Sequence, residues 1–231
     1  MNLLGTSSDT LHAEPDHRPQ FGPLLDLHRH KDGYVRFAVS QDDDFRPLVA
    51  ILSGELSTCF PTFQDRMLKD SYVSINASWR LQKCGSEGKA YGHPKHSTSD
   101  LRFLCACYAD LDFDRLTRLT YKEVISRISE YQADGRIPPV SAIVHSGRGL
   151  WLLWFLHDRE DRTKAQRAFP EMIRQYARIQ NAIVSLLVNI GADPAGKDAV
   201  RSIRMPGSFN TKGEEYVRWE LNLDKEGIRP C

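Results

Sequence analysis

The chain has 231 residues, of which 41% are hydrophobic and 26% charged, and 31 basic against 30 acidic residues leave a net charge of +1. This balance is typical of a globular protein with one large core. It excludes a histone-like or tail-driven nucleic-acid binder, although a local basic cleft would leave the total unchanged. No apolar run reaches the roughly 18 to 20 residues that span a bilayer, and the N-terminus lacks signal-peptide features. With an odd number of cysteines, five, we expect a reduced cytoplasmic protein without a membrane partner.

The first hundred residues are predicted to form a leader and a small α/β lobe. Residues 1–20 are polar and contain two prolines, so we expect a flexible leader there. The N-terminal lobe is placed at 21–100, and its last part, 81–99, is rich in Gly, Ser, Lys and His, which is typical of an exposed loop. The predicted elements of the lobe are a strand at 33–40, a short helix at 45–56 and a strand at 72–80.

The second part of the chain orders its elements as in an RRM-like or split βαβ sheet. They are a buried strand at 101–113, a helix at 120–135, a hairpin at 139–156, an amphipathic helix at 171–191, a short strand and turn at 199–212, and a strand at 215–224. Because many unrelated proteins reuse this order, it predicts a fold class and no function. We expect an α+β fold whose RRM-like palm, a mixed or antiparallel sheet with flanking helices, covers 101–231. The strand at the chain end fits a piece of a longer protein as well as a short complete one.

Three aspartates alternate in the segment CYADLDFDR, residues 107–115, at the end of an apolar run. On a strand, residues i and i+2 face the same side, so Asp110 and Asp112 are expected to project together. Two carboxylates this close repel each other unless a divalent cation neutralises them, and Mg²⁺ or Mn²⁺ prefers such hard oxygen ligands. The alternative is a strand end whose acids point into water.

Two further segments combine small residues with charge. In HSGRGLWLLW, residues 145–154, a turn around Arg148 joins two apolar strands, and its glycines let the backbone approach a ligand closely. The alternative is a tight hairpin with a solvated arginine. In GADPAGKDAVRSIRMPGSFNTK, residues 191–212, two acids precede two arginines and an exposed turn. Taken alone, that segment also fits a solvated salt-bridge face.

Together the three segments resemble the archaeo-eukaryotic primase (primase-polymerase) superfamily, and most of all its plasmid and phage replication members. The family carries an acidic hDhD strand, here YADLDF, and a small-residue turn before a strand, here SGRGLWLLW. A third acid follows, with arginines and a PGxxNxK turn, here DPAGKDAVRSIRMPGSFNTK. Order and spacing both fit, over roughly residues 70 to 215.

The resemblance implies an archaeo-eukaryotic primase fold and a DNA primase or polymerase that transfers nucleotides on a template in the replication of a mobile element. Asp110, Asp112 and Asp193 would be the catalytic acids that hold two Mg²⁺ or Mn²⁺ ions, with Asp198 as the alternative third acid. The residues that would contact nucleotide or DNA are Ser146, Arg148, Gly149, Trp151, Arg201, Arg204, Asn210 and Lys212. The implied partners are single-stranded or primed DNA and nucleoside triphosphates, with a helicase or primer-binding domain after Cys231 as a further candidate.

One position departs from the family pattern. Many members have a histidine in the middle segment that contacts the incoming nucleotide, and here that position is Trp151. A tryptophan can stack on a base or sugar, but it cannot make a charged contact to phosphate, and core packing within LWLLWFL is its alternative role. His145, just before the turn, is a candidate replacement. The preference for ribo- or deoxyribonucleotides stays open.

Zinc is the less favoured cofactor. Cys84, His93, His96, Cys105 and Cys107 are close in sequence and offer zinc ligands. Their spacing matches no standard zinc motif, however, and the last two cysteines lie in an apolar strand, where thiols commonly pack as small hydrophobic groups.

Two alternative functions use other residues. A rolling-circle replication initiator endonuclease would use His28 and His30 as a metal pair and Tyr121 or Tyr176 as the nucleophile, but it leaves the DLD segment unexplained. A catalytically degenerate domain that only binds single-stranded DNA would stack bases on Trp151 and Phe209. Against that role, three carboxylates without a metal would repel a polyanion.

Overall fold

The computed structural model describes residues 19–41, 44–79 and 97–221, which form 13 strands and five α-helices. Up to residue 111 the elements are α1 (Gly22–Leu27), β1 (Tyr34–Gln41), β2 (Asp44–Leu52), α2 (Leu56–Cys59), β3 (Ser71–Ser74), β4 (Ala77–Ser78), β5 (Leu101–Leu104) and β6 (Ala106–Leu111). The remaining elements are α3 (Phe113–Leu116), α4 (Tyr121–Ala133), β7 (Ala142–His145), β8 (Leu150–Phe155), β9 (Gln166–Arg167), α5 (Pro170–Leu187), β10 (Ser202–Arg204), β11 (Phe209–Asn210), β12 (Glu215–Tyr216) and β13 (Arg218–Leu221). The predicted leader and the loop predicted at 81–99 lie almost wholly outside the described residues. None of the described helices is long and apolar enough to cross a membrane.

The first sheet has seven strands and draws them from both halves of the chain. Its order is β10-β3-β1-β4-β5-β9, with β2 added along β1, and its pairings are antiparallel. The register places Phe37 opposite Val73. The Phe37 ring also contacts Phe60 and Phe63, from the short helices that follow α2. Apolar side chains on this face thereby bind the sheet to the helices beside it.

The second sheet has four antiparallel strands in the order β13-β7-β8-β6 and separates two cores. Because side chains alternate along β6, Tyr108 packs in the core shared with the first sheet, whereas Cys107 and Ala109 pack in a second core. The second core is closed by α4 and α5, with Val124 and Ile183 among its buried residues. Helices therefore cover one face of this sheet, and the first sheet covers the other.

Two helices and the hairpin form where the sequence predicts them. Thr120 caps α4 through a reciprocal capping box with Glu123. The long helix α5 ends in a short 3₁₀ turn, and Gly191 then takes a left-handed conformation with φ 100°. The hairpin of β7 and β8 pairs Val144 with Trp151.

Two predicted elements differ from the structure. The helix predicted at 45–56 is mostly the strand β2, because its residues pair along β1 with a register shift between Phe37 and Ala38. Pro47 is tolerated there, since β2 pairs with β1 alone. The strand predicted at 101–113 is two strands in different sheets, broken at Cys105, whose backbone N–H donates to the Asn76 side chain at 2.7 Å.

The strand that follows α5 also pairs outside the predicted palm. Strand β10 pairs with β3, with Ile203 opposite Val73, while β13 takes the edge of the second sheet beside β7. The strands predicted at 72–80 and 215–224 are each interrupted, the first into β3 and β4 and the second into β12 and β13. The second half of the chain thus contributes strands to both sheets.

Candidate active site

The last residues of β6 bring two distant acidic segments together. The Asp193 backbone N–H donates to the Asp110 carbonyl at 2.8 Å, and the Asp112 N–H donates to the Gly191 carbonyl at 2.9 Å. The segment after α5 therefore runs along the outer edge of β6 for two residues. Asp193 is placed beside Asp110 by backbone hydrogen bonds, and the positions of both are tied to the sheet.

A guanidinium lies between two of the carboxylates. Arg201 approaches Asp110 at 3.8 Å and Asp193 at 3.5 Å, which is too long for strong hydrogen bonds. Asp198 is exposed, and its backbone carbonyl accepts a hydrogen bond from the Tyr108 hydroxyl at 3.0 Å. Of the two candidate third acids, Asp193 is therefore the one that shares a neighbour with Asp110.

The Asp110 carboxyl is the least solvated of these acids. Its side chain is 23% exposed, and burial is the main cause that raises its pKa to about 7. Arg201 lowers this pKa, while the neighbouring carboxylates of Asp193 and Asp112 raise it further. Asp112 itself accepts a hydrogen bond from Arg115 at 2.6 Å. The negative charge of the carboxylate cluster therefore exceeds the positive charge of the side chains around it.

A cleft of about 660 Å³ opens over the carboxylates. Its walls come from strand ends and turns of both sheets, and they combine acidic, basic and aromatic side chains. The lining residues are Tyr72, Asp110, Asp112, Asp114, Arg115, Ser146, Arg148, Gly149, Trp151, Arg204, Asn210 and Lys212. Seven of the eight residues predicted to contact nucleotide or DNA are among them. The eighth, Arg201, lines an adjoining cavity together with Tyr72 and Trp151.

The turn between β7 and β8 is fixed by hydrogen bonds and by close packing. The buried Asn210 side chain donates to the Ser146 carbonyl at 2.5 Å and accepts from the Lys212 N–H at 3.1 Å. The Ser146 hydroxyl donates to the Gly149 carbonyl at 3.0 Å. A Cβ at Gly149 would overlap the Leu111 carbonyl oxygen, so this turn lies directly on the end of the acidic strand. The side chains of Ser146 and Asn210 are thus engaged in shaping the cleft wall.

The basic residues of the cleft differ in how far they are neutralised. Arg148 is exposed and makes no hydrogen bond or ion pair with any other described residue. Arg204 forms an ion pair with Asp70 at 3.0 Å, and its guanidinium lies 5.1 Å from the Tyr72 ring centroid. The sequence gives no signal for these two partners, because the β3–β10 pairing that places Arg204 opposite Tyr72 joins distant segments.

Trp151 forms part of the cleft floor. It is 8% exposed and pairs across the sheet with Asp110, and its ring centroid lies 5.5 Å from that of Tyr108. The candidate replacement His145 lies on the other face of the sheet, where its Nε2 is 3.1 Å from Glu220. His145 therefore does not reach the carboxylates, because strand alternation directs its ring away from them.

The five residues suggested for zinc do not form one cluster within the described residues. Cys84, His93 and His96 lie outside them. Cys105 packs in the core between the two sheets, whereas Cys107 packs in the core on the helical side. The strand break at Cys105 is the reason, because it removes the simple alternation that would place both thiols on one face.

The raised pKa of Asp110 predicts an unusual pH dependence of stability in buffer without Mg²⁺ or Mn²⁺. The pKa rises on folding from 3.8 to about 7, so the folded chain keeps a proton that the unfolded chain has lost. The stabilising contribution is full below about pH 4 and is lost as the pH rises through 7. Urea unfolding between pH 4 and 8 should show this loss in the wild-type chain and not in Asp110→Asn. Equal slopes in both chains would contradict the raised pKa.

A comparison with solved structures identifies the fold. The AEP domain of the cyanophage S-2L primase-polymerase (PrimPol) superposes with a TM-score of 0.54 at 15% identity, over 87% of this chain and 88% of that one. The chain therefore has the α+β fold of an archaeo-eukaryotic primase catalytic domain, which confirms the fold predicted from the three motifs. Primase RepB' aligns with a TM-score of 0.48 at 14% identity, over 89% of this chain and 56% of that one.

Sequence comparison adds one relative. A curated replication protein from Clostridium perfringens is 27% identical over 124 residues. The match spans 54% of this chain and 28% of the relative, so the chain corresponds to less than a third of that protein's length. No family model matches the chain.

Proposed function

We propose that this chain is the catalytic part of a DNA primase-polymerase, which extends or initiates DNA strands by template-directed nucleotidyl transfer during replication of a mobile element. The observation that carries the proposal is the meeting of Asp110, Asp112 and Asp193 at one strand end. These acids lie beside a cleft whose rim presents Arg148 and Lys212. The primase fold and the similarity to a replication protein support the same conclusion.

The carboxylates fit a pair of divalent cations. Their oxygens are the hard donors that Mg²⁺ and Mn²⁺ prefer. Burial and crowding raise the pKa of Asp110 to about 7, a cost that a bound cation would relieve. The Asp193 Oδ1 accepts from the Ala195 N–H at 2.9 Å, whereas the long distances from Arg201 leave the Oδ2 atoms of Asp110 and Asp193 open for coordination. Held by Asp110, Asp112 and Asp193, two such ions would supply activation of the attacking 3′-hydroxyl and stabilisation of the leaving pyrophosphate.

The basic side chains would bind the phosphates that the acids repel. Arg148 is the strongest candidate, because it is exposed at the rim and no described residue neutralises it. Lys212 follows the buried Asn210, whose hydrogen bonds orient the turn. Arg204 is partly neutralised by Asp70, so it would contribute less charge and more rigidity.

The two alternative functions have weaker support. Trp151 is 8% exposed, which leaves little ring surface for a single-stranded DNA platform. Tyr176 is buried, and its hydroxyl donates to the Ala106 carbonyl at 3.1 Å, which does not suit a nucleophile that must reach DNA. Tyr121 is exposed but lies beside His145 on the helical side of the second sheet.

The direct test is incorporation of labelled nucleotides on single-stranded DNA, with and without an annealed primer, in Mg²⁺ and in Mn²⁺. Products on the primed template establish a polymerase, and products without a primer establish a primase. The primed lane tests extension without relying on a primer-binding domain. Silence in every lane together with tight single-strand binding would contradict the proposal and favour the degenerate binding domain.

The third acidic residue can be identified with a matched pair of variants. Asp193→Asn is expected to lower kcat/KM for nucleotide incorporation by about 100-fold or more, the scale of losing one preorganised electrostatic group. Asp198→Asn is expected to stay close to wild type, because that side chain is exposed and lines only the adjoining cavity. Single-nucleotide extension of a primed template measures both. The opposite ranking would transfer the role to Asp198.

A further inference from the structure

A second cluster of metal-binding side chains lies at the opposite end of β6. His28 and His30, after α1, meet Cys105, the residue that separates β5 from β6. All three are buried, and one ligand atom from each lies within 4.8 Å of the others. Five residues at about 3.3 Å each separate Cys105 from Asp110, so the cluster is roughly 16 Å from the carboxylates. We call these three residues the His–Cys cluster.

Two of the three ligand-atom distances within the His–Cys cluster fit a shared ion. The His28 Nδ1 lies 3.3 Å from the His30 Nε2 and 3.5 Å from the Cys105 Sγ. Tetrahedral zinc, with bonds of about 2.0 to 2.1 Å to nitrogen and about 2.3 Å to sulfur, would separate these atoms by about 3.3 and 3.6 Å. At 3.3 Å the two nitrogens are also within reach of a direct hydrogen bond between the rings, so the positions of the ring protons distinguish the two cases.

The outer nitrogens of both rings are bonded to protein groups. The His28 Nε2 lies 3.0 Å from the Ser74 carbonyl, which can only accept, so this nitrogen carries the ring proton. The His30 Nδ1 lies 2.7 Å from the Ser53 hydroxyl oxygen. That hydroxyl also contacts the His30 carbonyl, which can only accept, and with the single hydroxyl proton on the carbonyl the His30 Nδ1 is the donor in their bond. Partners of this kind orient the imidazoles of metal sites.

These assignments leave two lone pairs facing each other. With His28 protonated at Nε2 and His30 at Nδ1, the facing nitrogens are both unprotonated. The Cys105 thiol has one proton and can satisfy only one of them. If Ser53 instead donated to the His30 ring, the rings could bond to each other without an ion, and the zinc content of the protein distinguishes the two arrangements. A cation between the nitrogens removes the conflict.

We infer that His28, His30 and Cys105 bind one Zn²⁺ ion with three protein ligands and an open fourth position. Imidazole and thiolate are the ligands that select zinc, whereas the oxygen-only carboxylate site suits Mg²⁺ or Mn²⁺. The ion would fasten the segment after α1 to the start of β6, the strand whose far end carries Asp110. Because the ion would lie roughly 16 Å from the carboxylates, we assign it the role of holding the two sheets together beneath the cleft and no part in the chemistry there.

The test begins with the wild-type chain and does not require activity. Elemental analysis of the purified protein is expected to give one zinc per chain. Its removal with a strong chelator should lower the thermal unfolding midpoint, and one equivalent of zinc should restore it. After replacement by cobalt, the thiolate ligand should give a charge-transfer band in the near ultraviolet. Absence of zinc together with no cobalt band would overturn the inference.

Matched cysteine variants locate the ion. Cys105→Ser is expected to weaken zinc binding by more than about 100-fold, since even the outer partners of metal ligands contribute about 10- to 100-fold. Cys107→Ser, also buried in the adjoining strand but facing the helices, should keep one zinc and the cobalt band. Cys84→Ser should also keep both, and loss of zinc in that variant with retention in Cys105→Ser would overturn the assignment.

Two further variants distinguish loss of a zinc ligand from loss of the fold and from zinc binding at the carboxylates. A variant with the other four cysteines replaced by serine, at positions 59, 84, 107 and 231, retains Cys105 alone, so a cobalt–thiolate band in that chain supports the site even where Cys105→Ser does not fold. The double variant Asp110→Ala/Asp112→Ala should bind the same one equivalent of zinc as the wild type. A zinc content that falls to zero in this variant would place the ion at the carboxylates and contradict the inference.

Discussion

Replacing Asp110 and Asp112 together by alanine is expected to reduce nucleotide incorporation by about 10³-fold or more while the chain stays folded. Metal ions contribute several kcal/mol of transition-state stabilisation, and each 1.36 kcal/mol corresponds to about tenfold in rate. Folding should survive, because burial of the Asp110 carboxylate is itself unfavourable, as the rise of its pKa to about 7 indicates. Primer extension in Mg²⁺ and in Mn²⁺ measures the activity, and circular dichroism with urea unfolding measures the fold.

Asp114→Ala is the matched control for this experiment. Asp114 belongs to the same acidic segment and lines the same cleft, but it lies in α3, beyond the strand end. Its removal also deletes one negative charge, so a general electrostatic effect on DNA binding would appear in both variants. Activity retained in the double variant, or lost equally in Asp114→Ala, would contradict the assignment of the metal site to Asp110 and Asp112.

Gly149→Ala is expected to damage stability and activity together. The new Cβ would overlap the Leu111 carbonyl oxygen, so either the hairpin turn or the end of β6 must move. Overpacking of this kind costs typically about 1 to 3 kcal/mol of unfolding free energy. Asp112 directly follows Leu111, so the same displacement would shift Asp112. Changes of about 1 Å at a reacting centre can lower the rate about 10²-fold.

Gly22→Ala provides the glycine control. A Cβ at Gly22, the first residue of α1, would meet no heavy atom within 4 Å, so this change should leave stability unchanged or raise it by up to about 1 kcal/mol. Urea unfolding and primer extension on both variants separate the two effects. A Gly149→Ala chain with wild-type stability and activity would mean that the turn does not press on the acidic strand.

The two proposed metal sites make different predictions for activity. Both lie at β6, but only the carboxylates line the cleft. Loss of zinc from the His–Cys cluster is therefore expected to act through stability, with activity declining as the chain unfolds. Loss of Mg²⁺ or Mn²⁺ would stop the chemistry in a folded chain.

Features that depend on local order along the chain can be predicted from the amino-acid sequence. The capping box at Thr120 and Glu123 predicts the start of α4, and the alternation of Asp110 and Asp112 predicts two carboxylates on one side of a strand end. The three motifs, taken in order, predict the primase fold that the structural comparison confirms. These predictions are possible because each pattern is confined to a short stretch of neighbouring residues.

Contacts between distant segments could not be predicted and are known only from the folded structure. The hydrogen bond from Asp193 to the Asp110 carbonyl distinguishes Asp193 from Asp198 as the acid beside the strand end. The contact of His28 and His30 with Cys105 could not be predicted from the spacing of these residues in the sequence. The strand break at Cys105 turns its thiol away from Cys107 and into the core between the two sheets. Periodicity describes which way a side chain points from its own element, whereas sheet pairing and core packing choose the element that it meets.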